Sequence, residues 1–149
     1  MIALVPFLLA LFFIDLRYKI LPDQLNLIAF CIGVAFLTVK ALLTSDYSAL
    51  IPHAVGACVF PIVIWCTGAL TSATLKKNAL GFGDVKFFAV AGLWLGVSAL
   101  VPFLLLSGVL GVMFGSLWQT VKKEKAFPFG PALIVAFFVL LLIDASKIL

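Results

Sequence analysis

Apolar runs separated by short polar stretches occupy nearly the whole chain, and their lengths predict helices rather than strands. Met1 to Ile14 carries no charge. A helix continued through Asp15 to Ile20, stopping before Pro22, is long enough to span a bilayer. This start lacks the basic residues and small-residue cleavage site of a removable signal peptide and is read as retained. Asp15 to Gln24 is the first polar loop. A second run, Leu25 to Leu43, follows, and Thr44 to Ser48 turn the chain. The third run extends from about Ala49 to Leu70, with a kink predicted at Pro61 because proline removes a helix hydrogen bond. Thr71 to Leu80 form the second polar loop. The fourth run, from Val85 to about Ala99, meets the fifth, from Pro102 to Thr120, through a tight connection. Val121 to Gly130 is the last polar loop, and Pro131 to about Ala145 is the sixth run.

Composition turns this pattern into a class. Hydrophobic residues make up 65% of the chain and charged ones 11%, with a mean hydropathy of +1.32. No water-soluble domain of 149 residues covers that much apolar surface. The expected fold is all-α, a polytopic membrane protein of about six transmembrane helices, with residues 1–149 forming a single transmembrane domain. Cys31, Cys58 and Cys66 fall inside apolar runs without a C-x-x-C pair and read as packing residues. His, Cys and Glu are too scattered to build a metal site, and no cofactor is expected.

The charges supply a topology. Arg17, Lys19, Lys76, Lys77, Lys86, Lys122, Lys123 and Lys125 fall in or beside the loops after the first, third and fifth runs. Only Lys40 and Lys147 remain for the other side. The positive-inside rule therefore places those three loops in the cytoplasm and both chain ends outside it. The net charge of +4 is explained by this topology and by anionic headgroups, without a nucleic-acid partner.

Asp15 and Asp84 consequently face the same side of the membrane, one near the end of the first helix and one at the start of the fourth. Two neighbouring carboxylates do not both ionise readily: one keeps a proton while the other acts as a base toward water, the division of roles in aspartic proteases. A plain structural reading stands beside this. Asp84 has the character of a helix N-terminal carboxylate, and Asp15 has Lys19 one turn away for an ion pair. Gly81 and Gly83 free the backbone before Asp84. Asp23, after Pro22, reads as the cap of the second helix and as the rival for the first catalytic place. Lys86 and Lys19 either tune the carboxylates or snorkel to headgroups. The pairs Gly92 with Gly96 and Gly111 with Gly115 have the spacing for close helix approach. His53 reads as a satisfied interfacial histidine, and Trp65, Trp94 and Trp118 as packing residues or anchors.

Three stretches together resemble the type IV prepilin leader peptidases. Gly81-Phe82-Gly83-Asp84-Val85-Lys86 is similar to that family's G-x-G-D-x-K signature. Ile14-Asp15-Leu16-Arg17 to Leu21-Pro22-Asp23 resembles its first aspartate region, and Phe127-Pro128-Phe129-Gly130-Pro131 its Pro-Phe-Gly-Pro element. The resemblance implies a membrane aspartic endopeptidase of the G-x-G-D kind. Such an enzyme removes the short basic leader of type IV prepilins or pseudopilins at the cytoplasmic face of the bacterial inner membrane. The family's catalytic aspartates map onto Asp15 and Asp84. Longer members carry an N-terminal insert with paired C-x-x-C motifs and often methylate the new N-terminus. Neither insert nor motif is present in this sequence, so peptidase activity is implied and N-methyltransferase activity is not. The compact size is similar to that of archaeal preflagellin peptidases.

Two other classes fit parts of the pattern. A small proton- or cation-coupled transporter uses membrane carboxylates, although here the middles of the runs are uncharged. A presenilin-like intramembrane protease shares G-x-G-D, and Pro131-Ala132-Leu133 matches part of its layout, but no Tyr-Asp precedes Gly81.

Overall fold

The computed structural model describes residues 4–48, 50–75, 81–122 and 127–146. Among them lie six α-helices: α1 (Val5–Tyr18), α2 (Asp23–Thr44), α3 (Leu50–Leu75), α4 (Phe82–Leu95), α5 (Leu100–Lys122) and α6 (Gly130–Ser146). Each predicted run corresponds to one of these helices. The all-α expectation holds, and the molecule is a membrane protein. Among the described residues three segments are long and apolar enough to cross a bilayer: Asp23–Thr44, Leu50–Ala73 and Val97–Val121. The other helices are shorter, with 14 residues in α1 and α4 and 17 in α6.

Helix ends differ from the sequence expectation for local reasons. α1 stops at Tyr18, ahead of the expected Ile20, because Lys19 adopts the left-handed conformation (φ 55°, ψ 37°) and its N–H bonds back to the Asp15 carbonyl at 2.8 Å. α3 continues past Leu70 to Leu75: Thr71 does not break it, since its hydroxyl donates to the Thr67 carbonyl at 2.7 Å. Pro61 lies inside this helix. α4 starts at Phe82, which puts Asp84 in its first turn. It ends at Gly96, whose φ of 76° suits glycine, and a 3-10 turn, Val97–Ala99, makes the tight connection to α5.

The chain forms two compact units, residues 23–100 in one and residues 1–22 with 101–149 in the other. In the first unit α4 is the central element. Phe87, Phe88, Val90, Ala91, Leu93, Trp94 and Leu95 are all buried, as expected for a helix apolar on every side. α3 packs against it most closely where Gly56 meets Gly92. A β-carbon on either glycine would collide with the other's backbone carbonyl. α2 covers another side: Trp94 stacks on Phe36 with ring centroids 5.5 Å apart, and its Nε1–H donates to the Ala29 carbonyl at 3.1 Å. His53 Nδ1 lies 2.9 Å from the Leu93 carbonyl, so the expected satisfied histidine is present.

In the second unit α1 packs on α6, with Leu8, Leu11, Leu133 and Phe137 buried. Gly111 and Gly115 do receive close neighbours, but these are the rings of Phe129 and Phe127 rather than another helix. Outward faces of the long helices expose Leu27, Leu42, Ile51, Ile62, Leu105 and Val112, among others, the surface a hydrocarbon environment requires. Cys31, Cys58 and Cys66 are exposed on these faces, which corrects their reading as internal packing residues.

Candidate active site

Among the described residues Asp15 is the charged one most withdrawn from the surface, at 3% exposure. It lies in the last turn of α1, where the helix dipole disfavours a carboxylate. Compensation comes from the opposite end of the chain. The Gly130 N–H, at the start of α6, donates to Asp15 Oδ2 at 2.9 Å in a buried setting, so the positive end of one helix dipole meets the carboxylate at the negative end of another.

The sequence at α6 makes this arrangement possible. A helix start leaves its first N–H groups without intrahelical partners. Here the Gly130 N–H goes to Asp15, Pro131 has none, and Ala132 and Leu133 donate to the Phe129 carbonyl at 3.1 and 3.3 Å. Position 130 also has no room for a side chain. A β-carbon there would lie 2.6 Å from Asp15 Oδ2 and 2.7 Å from its Cγ.

Asp84 is held differently. Gly81 caps α4 in an extended conformation (φ −76°, ψ 137°), and its carbonyl accepts from the Asp84 N–H at 3.1 Å. The carboxylate is half-buried in the first turn, where backbone N–H groups and the dipole favour negative charge. Gly81 lies beside it: a β-carbon there would come 3.1 Å from Asp84 Oδ2.

The supporting residues sort by unit. Asp23 is the first residue of α2, and its carboxylate takes a 2.5 Å ion pair from Lys86. It stands inside the helix rather than ahead of it and links α2 to α4. Both partners are exposed. Lys19 sets its ammonium 5.8 Å from the centre of the Trp118 ring. Asp15 and Asp84 belong to different units. Lys76, Lys77, Lys123, Lys125 and Lys147 lie outside the described residues.

Two functional candidates were not singled out from sequence. In sequence Gly130 is one letter of a Pro-Phe-Gly-Pro element, and its contact with Asp15 appears once the chain is folded. Asn26 is 3% exposed and donates through Nδ2 to the Gly83 carbonyl at 3.4 Å, directly ahead of Asp84. A lone amide inside the Leu25 to Leu43 run was the available signal.

Comparison with known proteins adds the following. Residues 2–116 match the model of the type IV leader peptidase family. A protein of Xanthomonas campestris pv. campestris named prepilin leader peptidase/N-methyltransferase is 35% identical over 133 residues, 87% of this chain and 45% of that protein. Proteins of the same name from Aeromonas salmonicida and Neisseria gonorrhoeae are 37% and 32% identical, over 91% and 89% of this chain and 46% and 44% of theirs. The chain spans about half the length of the curated relatives it matches. No solved structure matches significantly.

Proposed function

Because this chain belongs to the type IV leader peptidase family, we propose that it is a membrane aspartic endopeptidase that cleaves the leader from type IV prepilins or pseudopilins. Asp15 and Asp84 are the catalytic carboxylates, and residues 1–149 act as one peptidase domain in the bacterial inner membrane, with the site open to the cytoplasm. The observation that carries the reading is the Gly130 to Asp15 hydrogen bond. It joins two of the three stretches that resemble the family, 115 residues apart in sequence, on one buried carboxylate.

Each step follows from carboxylate chemistry. The ionised aspartate takes a proton from water as the water oxygen attacks the scissile carbonyl carbon. The protonated aspartate donates a hydrogen bond to the carbonyl oxygen as negative charge develops there. Collapse of the tetrahedral intermediate breaks the C–N bond, and the departing amine receives a proton from the carboxyl group that had taken one. The pair then carries one proton again. We assign no role to a metal or cofactor in this scheme. A prepilin's apolar helix partitions into the bilayer while its leader meets the aqueous edge, which sets the depth at which the scissile bond arrives.

Co-expression with a prepilin tests the reading. Wild type and Asp23→Ala are expected to release the leader, and Asp15→Ala and Asp84→Ala to leave it attached. Full processing by either of the latter two sinks the assignment, and loss in Asp23→Ala alone moves the first carboxylate to position 23. Cation flux in liposomes without prepilin cleavage would replace a peptidase with a transporter.

A further inference from the structure

One face of α2 makes a row of polar ties to α4. Asp23, Asn26 and Ala29 are spaced three residues apart and so lie along one side of the helix. Asp23 binds Lys86 at 2.5 Å, Asn26 donates to the Gly83 carbonyl at 3.4 Å, and the Ala29 carbonyl accepts from Trp94 at 3.1 Å. One turn further, Gly33 leaves room for Trp94, whose Nε1 would lie 2.6 Å from a β-carbon there. The outermost tie is exposed to solvent, and the innermost stands near the end of α4. The middle one is part-buried, comes from an Asn26 that is itself buried, and reaches the peptide unit that leads into Asp84.

Asn26 is retained there at a cost. Its Oδ1 is buried and finds no donor among the described residues, a liability that an apolar side chain of the same size would avoid. Exchanging the two amide atoms would set Oδ1 against the Gly83 carbonyl, acceptor against acceptor, so the donor is the atom that faces α4. A local rule broken in this way marks a site kept for function.

We propose, resting on the peptidase reading above, that Asn26 is a positioning residue. Its amide holds the Gly83 carbonyl, fixing the first turn of α4 and so the direction in which Asp84 presents its carboxylate. The glycines around Asp84 leave that turn free to shift, and the tie from α2 limits the shift without adding a side chain next to the reacting atoms. Misplacement by about an ångström is enough to cost roughly 100-fold in rate.

Purified protein in micelles, assayed on a prepilin, tests this with Asn26→Leu and Asn26→Asp. Leucine is close in size and removes the donor together with the unpaired acceptor. Aspartate, assayed at a pH at which it is ionised, keeps the shape and loses the donor. Both are expected to lower kcat about 10- to 100-fold with KM little changed, while the Tm of Asn26→Leu stays at or above that of wild type. A wild-type kcat in either variant overturns the proposal, as does a loss in Asn26→Leu that tracks a falling Tm. A second measurement needs no activity. With Cys31, Cys58 and Cys66 changed to alanine and a nitroxide on Phe82→Cys, the Asn26→Leu change is expected to increase label mobility, and an unchanged spectrum overturns the tie. Should wild type fail to cleave prepilin, the peptidase reading falls and the nitroxide result alone decides the role of Asn26.

Discussion

The two aspartates occupy contrasting settings. Asp15 is buried at an unfavourable helix end, grips a main-chain N–H, and has Gly130 packed against its carboxyl group. Asp84 is half-buried at a favourable helix end, follows two glycines, and stands between two residues tied to α2, Gly83 one position before it and Lys86 two after. Asp15 accepts at the carboxylate itself, whereas the ties from α2 reach Gly83 and Lys86 on either side of Asp84. In the proposed dyad, the carboxylate at the unfavourable helix end is the one anchored by a main-chain donor from another helix.

The largest expected effects come from removing the carboxylates. Asp15→Ala and Asp84→Ala should each cut prepilin cleavage by roughly 1,000-fold or more, but thermal unfolding in micelles should tell them apart. Asp15→Ala orphans the buried Gly130 N–H, a loss of about 1–3 kcal/mol, whereas Asp84→Ala leaves that bond intact. Equal destabilisation would erase the contrast.

Next in size is Gly130→Ala. Its β-carbon meets Asp15 at 2.6 Å, so leader cleavage should fall by about 10-fold or more, with about 1–3 kcal/mol of overpacking. Gly81→Ala meets Asp84 at 3.1 Å on a backbone that alanine adopts readily. It should retain activity within about threefold in the same assay. A reversal of this order would mean that the space beside Asp84 is the tighter of the two.

Gly92→Ala tests the frame behind Asp84. The neighbouring carbonyl of Gly56 belongs to a helix backbone and cannot swing aside, so stability should drop by about 1–3 kcal/mol. The smallest effect belongs to Lys86→Met. An exposed pair contributes about 0–1 kcal/mol, and the difference from wild type should shrink as salt is added, measured by unfolding at two ionic strengths.

Much of the fold was legible because charge and proline bound the apolar runs. Asp15 and Asp84 fall at helix ends for the same reason that they stood out in sequence, since neither can sit mid-run. The boundaries were less legible. A left-handed Lys19 and a Thr71 hydroxyl bonded within its own helix depend on conformations that hydropathy does not encode. The partners were less legible still. Nothing near position 130 names position 15, and a glycine in a motif does not announce that its N–H is the useful part. Asn26 was visible as an odd polar residue, but its target is a carbonyl, which every residue has. The cysteines show the converse error: apolar character does not say whether a face meets protein or lipid.

The hold on Asp15 has a consequence for how variation at this site is to be interpreted. The donor belongs to the main chain, so it is common to all twenty amino acids except proline and leaves no signature in the side-chain alphabet. A mutational scan at position 130 registers a size limit and conceals the hydrogen bond beneath it. Separating the two takes chemistry on the backbone itself, an ester in place of the amide between Phe129 and Gly130, which deletes the N–H and leaves every side chain as it was.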